Sequence, residues 1–142
     1  MTLAVLDWGI GGAPTWDAIQ TRAPSIDLIY VSDSGFAPYG TVPRQELAER
    51  LGQIGGALST LGVTHIAVAC NAASVVLNEL VLNEPQEPPC AFFGIIDDGV
   101  ELALASGART VAILGGNGTI AAGAHERRLR SAQREVIALS AQ

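Results

Sequence analysis

The chain contains no lysine at all; its 8 basic residues are all arginine. That absence removes the phosphate-binding loop NTPases, the Schiff-base enzymes and the pyridoxal-phosphate enzymes, each of which needs a lysine amine. Histidine is scarce too, with 2 residues, so no convincing metal cluster is expected and neither is a bound metal. Only 2 cysteines occur, which suits a reducing cytoplasm rather than a disulfide framework. Charge is low at 15%, and the net charge of −6 argues against nucleic acid or an acidic membrane as partner. No apolar run approaches the ~18 residues of a membrane span, and the start has no targeting pattern. What remains is a 142-residue chain, 49% apolar, long enough for a real core.

Short apolar segments recur along it: Leu3–Leu6, Leu28–Val31, Ile66–Ala69, Phe92–Ile96, Val111–Leu114 and Val136–Leu139. Such runs suit strands buried on both faces of a parallel sheet. Between them the patterns predict helices over Ala13–Thr21, Pro43–Leu61, Ala72–Leu82, Gly99–Ala105 and Thr119–Ser131. Pro14 and Pro43 fit helix starts, and Gly107 fits a stop. Strand–helix alternation implies an α/β fold, a three-layer α/β/α arrangement around a mainly parallel sheet. The segment 83–89 reads as a linker. Gly52, Gly55 and Gly56 weaken the second helix, for which close packing on the sheet is the expected reason. The chain stops as its sixth strand finishes, so apolar surface should stay uncovered and self-association is expected.

Polar and glycine-rich sequences cluster at the carboxyl ends of the strands, where open α/β folds place ligands. The first strand leads into Asp7-Trp8-Gly9-Ile10-Gly11-Gly12, and the second into Ser32-Asp33-Ser34-Gly35 with Pro38-Tyr39-Gly40 beyond. The third ends at Cys70-Asn71, and the fifth at Gly115-Gly116-Asn117-Gly118-Thr119. Glycine-rich turns before helices offer N–H groups to anions. A dinucleotide is disfavoured because Pro14 stands at the third glycine position and no acidic residue clearly ends the second strand at the right distance, so a nucleotide-binding flavodoxin-like domain stays only as a minor option. A carboxylate ligand is the better match.

Cys70 is the most informative residue. It lies at a sheet edge before a helix start, whose N–H groups and dipole favour a thiolate. A buried cysteine is also simply a small hydrophobe. Asp7 sits at the top of a strand expected to neighbour that of Cys70, so it either serves the thiol as a proton acceptor or caps its own turn. Tyr39 and Asn71 either donate to a carboxylate or satisfy loop backbone. Asp33 and Asp98 read as turn or cap residues, His65 and His125 as structural or solvated, Trp16 as core. Cys90 follows two prolines at the amino end of its strand and reads as structural.

Four segments, Leu6-Asp7-x-Gly9-Ile10-Gly11-Gly12, Pro38-Tyr39-Gly40, Ala69-Cys70-Asn71-x-Ala73-Ser74 and Gly118-Thr119-Ile120, resemble in order and spacing the glutamate racemases and their aspartate/glutamate racemase relatives. The resemblance covers essentially the whole chain. It implies an isomerase of two similar α/β/α domains that needs no cofactor, serves peptidoglycan biogenesis and exchanges an α-proton between two cysteines. Here the first would be Cys70, assisted by Asp7. Pro38, Tyr39, Gly40, Asn71 and Thr119 match substrate contacts, and the ligand would be a small acidic amino acid or another carboxylate. Two departures stand out: Trp8 replaces a serine and Ala72 a threonine. The family's second cysteine belongs to a segment beyond residue 142, so the chain reads as an N-terminal portion or natural truncation. Residues 1–97 would form an incomplete first domain and 98–142 open a second. Racemisation by the chain alone is not expected. The alternative is a non-catalytic binding or interaction protein built on the same scaffold.

Overall fold

The computed structural model describes residues 2–83 and 89–141. Strands β1 (Thr2–Asp7), β2 (Asp27–Ser32), β3 (Val63–Val68) and β4 (Ala91–Gly94) form one fully parallel sheet in the order β2-β1-β3-β4. Strands β5 (Thr110–Gly116) and β6 (Glu135–Ala141) pair in parallel as a separate two-stranded sheet. The helices are α1 (Ala13–Arg22), α2 (Arg44–Ser59), α3 (Asn71–Asn83), α4 (Ile96–Ala105), α5 (Asn117–Ala122) and α6 (Ala124–Ser131), with a 3-10 turn at Tyr39–Thr41. Each predicted strand is present. The fourth ends at Gly94 rather than Ile96, which already belongs to α4. Most of the predicted linker, residues 84–88, lies outside the described residues. Among the described residues, no helix is long and apolar enough to cross a membrane.

Alternation along the strands sets the layers. Ala4, Leu6, Ile66 and Val68 point to one face and are buried in a core with Leu47, Leu51 and Ile54 of α2 and Val76 of α3. Residue Gly12, at the start of α1, packs on the other face against Ala69. That second layer is thin. Helix α1 buries no residue completely, so Trp16 is half-buried rather than core. Phe93 stays 55% exposed, stacked on the half-buried His65.

Two of the glycines decide how closely the helices approach. A Cβ at Gly55 of α2 would fall 2.8 Å from Cζ of Phe92, so this glycine is the close contact the sequence suggested. Gly56 is not, because nothing lies within 4 Å of its Cβ position. Gly94 of β4 meets α3 as closely: a Cβ there would lie 2.9 Å from Cβ of Ser74 and 3.0 Å from Cδ1 of Leu77. We expect Gly94→Ala to cost about 1–3 kcal/mol through overpacking. Gly56→Ala should gain about 0.5–1 kcal/mol through helix propensity. Urea midpoints measure both; equal shifts in the same direction would refute the packing argument.

The predicted helix 119–131 is two helices. Gly123 adopts φ +63°, ends α5 in a left-handed cap and lets α6 start in a new direction. Both helices pack on the β5–β6 sheet. The other face of that sheet is bare, with Leu114 73%, Ile137 51% and Leu139 53% exposed.

Candidate active site

The sheet order places β1 between β2 and β3. The chain runs from β1 to one side, then crosses to the other, so the connection reverses between β1 and β3. Ligand crevices form outside such a reversal, at the carboxyl ends of the strands. Asp7 ends β1 and Cys70 follows β3 there. Backbone bonds lock the ends together: Ala69 N–H donates to Leu6 O at 2.9 Å, and Asp33 N–H to Asp7 O at 3.0 Å. A cleft of about 370 Å³ opens over them. Cys70, Asp7, Pro38, Tyr39 and Gly40 all line it, as do Trp8 and Ala72.

Cys70 is half-buried and lines the cleft together with Asp7, and the backbone N–H groups of Ala73 and Ala72 at the start of α3 act on its sulfur. Burial pushes its pKa up, and the charge of Asp7 pushes it further. The two N–H groups pull the other way. The stabilised thiolate expected from the helix start is therefore outweighed by desolvation. The thiol is held protonated beside a carboxylate, and its conjugate thiolate is a strong base.

Asp7 is both a cap and a partner. Its Oδ2 accepts from Gly9 N–H at 3.2 Å and Gly12 N–H at 3.3 Å. The glycine-rich loop thus spends these N–H groups on a carboxylate of its own chain rather than on a ligand. Gly11 and Gly12 must be small for this: a Cβ at Gly11 would lie 3.1 Å from Asp7 Oδ2, and one at Gly12 3.0 Å from Cβ of Ala69. Tyr30 closes the loop by donating to Gly9 O at 2.9 Å.

Tyr39 is buried, but its hydroxyl donates to Asp33 Oδ2 at 2.8 Å. It is therefore committed to Asp33, and the ring alone serves as cleft wall. Burial and this bond raise the Tyr39 pKa. Asp33 is 7% exposed and is far more than the turn residue expected. Its two oxygens also take Nε of Arg50 at 3.0 Å and Nη2 at 2.5 Å. The Arg50 guanidinium also sits 5.2 Å over the Phe36 ring, and its hydrogen bonds to Asp33 depress the Asp33 pKa. Trp8 joins the same loop by donating from Nε1 to Phe36 O at 2.9 Å.

Two predicted contacts lie outside the cleft lining. Asn71 is exposed, and its Oδ1 accepts from Nε2 of His125 at 3.1 Å. His125, expected on a solvated face, thereby ties α6 to the start of α3; burial lowers its pKa. Thr119 is buried in α5, one residue beyond Gly118, whose Cβ position is 3.4 Å from Gly40 O. Ser74 links three elements: its Oγ donates to Val68 O and accepts from Ile95 N–H, both at 3.2 Å. Cys90 is buried, and its Sγ donates to Val63 O at 3.1 Å, far from the reacting edge. Among the described residues no group of three His, Cys, Asp or Glu is disposed to hold a metal ion.

A parallel α/β protein with a thiol and a carboxylate paired at its topological reversal is what the fold and cleft define. No family model matches the chain. It is 32% identical over 139 residues to the glutamate racemase of Aquifex pyrophilus, covering 97% of this chain and 54% of that one. The solved structure of the Aquifex pyrophilus enzyme superposes with a TM-score of 0.89 at 30% identity, covering 99% of this chain and 55% of that one. The glutamate racemase of Francisella tularensis, solved in complex with D-glutamate, superposes with a TM-score of 0.80 at 26% identity, over 98% of this chain and 52% of that one. The chain belongs to the glutamate racemase family, and it spans about half the length of the relatives it matches.

Proposed function

We propose that the chain carries one proton-transferring side of a cofactor-independent amino-acid racemase. The carboxylate of Asp7 accepts the Cys70 proton, and the resulting thiolate removes the α-proton of a bound amino acid. The S–H bond reforms as the Cα–H bond breaks, and the electron pair left on Cα delocalises into the substrate carboxylate. The half-buried setting suits this, since a desolvated thiolate is a stronger base than one in water. The observation that carries the reading is that Cys70 and Asp7 line the same cleft at the carboxyl ends of adjacent strands. A small acidic amino acid or another carboxylate is the ligand class; the Francisella tularensis relative was solved with D-glutamate. Two free thiols fit a cytoplasmic setting.

Inversion needs an acid on the opposite face of Cα. Cys90, the other cysteine, is buried at the amino end of β4 and cannot supply it. The 142-residue chain alone is therefore expected to return a proton to the face that lost it. Incubated in D2O with glutamate or aspartate, it should deuterate Cα of one enantiomer with retention and produce no opposite enantiomer. Cys70→Ala should abolish deuteration. Racemisation by the wild-type chain, or exchange unchanged in Cys70→Ala, would overturn the reading. A second reading, a binding protein on the racemase scaffold, is favoured by the indole of Trp8 in the cleft; it expects calorimetric binding without deuteration.

We further assign residues 1–97 to a first domain and 98–142 to the opening of a second, in keeping with the two separate sheets. The bare face of β5–β6 should make the isolated chain self-associate. Light scattering should return at least twice 14.7 kDa. Leu114→Ser with Leu139→Ser should return a monomer; a monomeric wild type would contradict this.

A further inference from the structure

Asn71 stands between Cys70 and Ala72, which both line the cleft, so the first residue of α3 sits at the rim. Its side chain has two unlike ends: the carbonyl oxygen accepts hydrogen bonds and the NH2 group donates them. A freely turning amide would offer either end to a ligand. This one is held, because Nε2 of His125 donates to its Oδ1 at 3.1 Å. With the oxygen occupied, the NH2 group becomes the outward end, and Asn71 is exposed, so that end is open to a ligand.

The bond spans 54 residues and depends on how α6 is set. Gly123, at φ +63°, ends α5 and turns the chain, which places His125, the second residue of α6, opposite the start of α3. Burial lowers the His125 pKa and so favours the neutral ring. Were the amide reversed, its oxygen would face the oxygens of a carboxylate, and the imidazole N–H would lose its acceptor. We infer that His125 is a positioning residue: it locks the Asn71 amide with its NH2 group toward the cleft, where it receives the carboxylate of an amino-acid ligand. This rests on the amino-acid reading above and deepens it, and it concerns binding rather than proton transfer.

The test is a titration of the 142-residue chain with glutamate, read by NMR chemical shifts. His125→Phe should raise Kd about fivefold, the usual weight of one hydrogen bond. His125→Gln, whose amide still donates, should stay within about twofold of wild type. In an Asn71→Ala background, His125→Phe should add less than about twofold, since the group it positions is gone. Long-range 15N spectra should place the imidazole proton on Nε2. Equal losses with and without Asn71 would mean that His125 only supports the fold and would overturn the inference. So would an unchanged Kd in His125→Phe, a proton on Nδ1 alone, or no glutamate binding by the wild type. α-Deuteration in D2O separates this from the broader reading. Binding without exchange removes the Cys70 chemistry and leaves His125 to be decided by the affinity ratios. Exchange with an unchanged Kd in His125→Phe does the reverse.

Discussion

Asp7→Asn is expected to slow α-proton exchange by at least a hundredfold while leaving the fold intact. Asparagine keeps an oxygen where Asp7 Oδ2 now accepts from Gly9 and Gly12, so the loop should hold its shape. What disappears is the acceptor for the thiol proton and the charge that raises the basicity of Cys70. Loss of a positioned proton acceptor typically costs about 10²–10⁴-fold. One effect runs against this: without the neighbouring charge, more Cys70 is ionised at neutral pH. That thiolate is also a weaker base, and the substrate proton is the harder one to remove. The deuteration assay in D2O decides the sign, with circular dichroism as the control for folding. An exchange rate within threefold of wild type would show that Asp7 only caps its loop.

The second large effect concerns stability. Asp33→Ala should cost about 2–4 kcal/mol and lower the melting temperature by roughly 10 °C. The carboxylate is 7% exposed and bonds three donors, two from Arg50 and one from Tyr39. Its removal strands a buried hydroxyl. Arg50, whose side chain is 33% exposed, still reaches water, which keeps the cost below that of a wholly buried pair. The pH dependence follows from the depressed pKa of Asp33. A group with a lower pKa when folded contributes its full stability above the unfolded value, about 4. That contribution is lost as pH falls from there through the folded value. Wild type should therefore lose stability steeply below about pH 4, and Asp33→Asn should show a shallower acid limb. Parallel limbs would mean that the Arg50 pairing adds nothing.

The contrast between these residues shows what could be read from the chain before its fold. The apolar runs set the strands, and glycine-rich or polar sequence after each marked the edge where chemistry gathers. Asp7 and Cys70 were legible as a pair because adjacent strands bring their ends together whatever the details of the loops. Asp33 was not. Its partner Arg50 lies 17 residues on, across a loop and onto α2, and no local period links the two. The His125–Asn71 bond spans 54 residues and was hidden for the same reason. The glycine-rich sequence after β1 suggests a site for a ligand anion, whereas its Gly9 and Gly12 N–H groups hold the chain's own Asp7 carboxylate. The break at Gly123 is not legible in the sequence, because a single glycine in a polar helix looks like a tolerated weak point until its φ is known.

The influence of a neighbouring carboxylate on the sulfur atom at the strand edge is open to direct measurement. Thiolate absorbance near 240 nm, followed against pH and corrected with Cys70→Ala, reads the ionisation of that sulfur alone. The midpoint should stand above that of an ordinary cysteine and should drop in Asp7→Asn. An ordinary midpoint that ignores the loss of the carboxylate would mean the two groups do not communicate, and proton abstraction by this pair would have no basis.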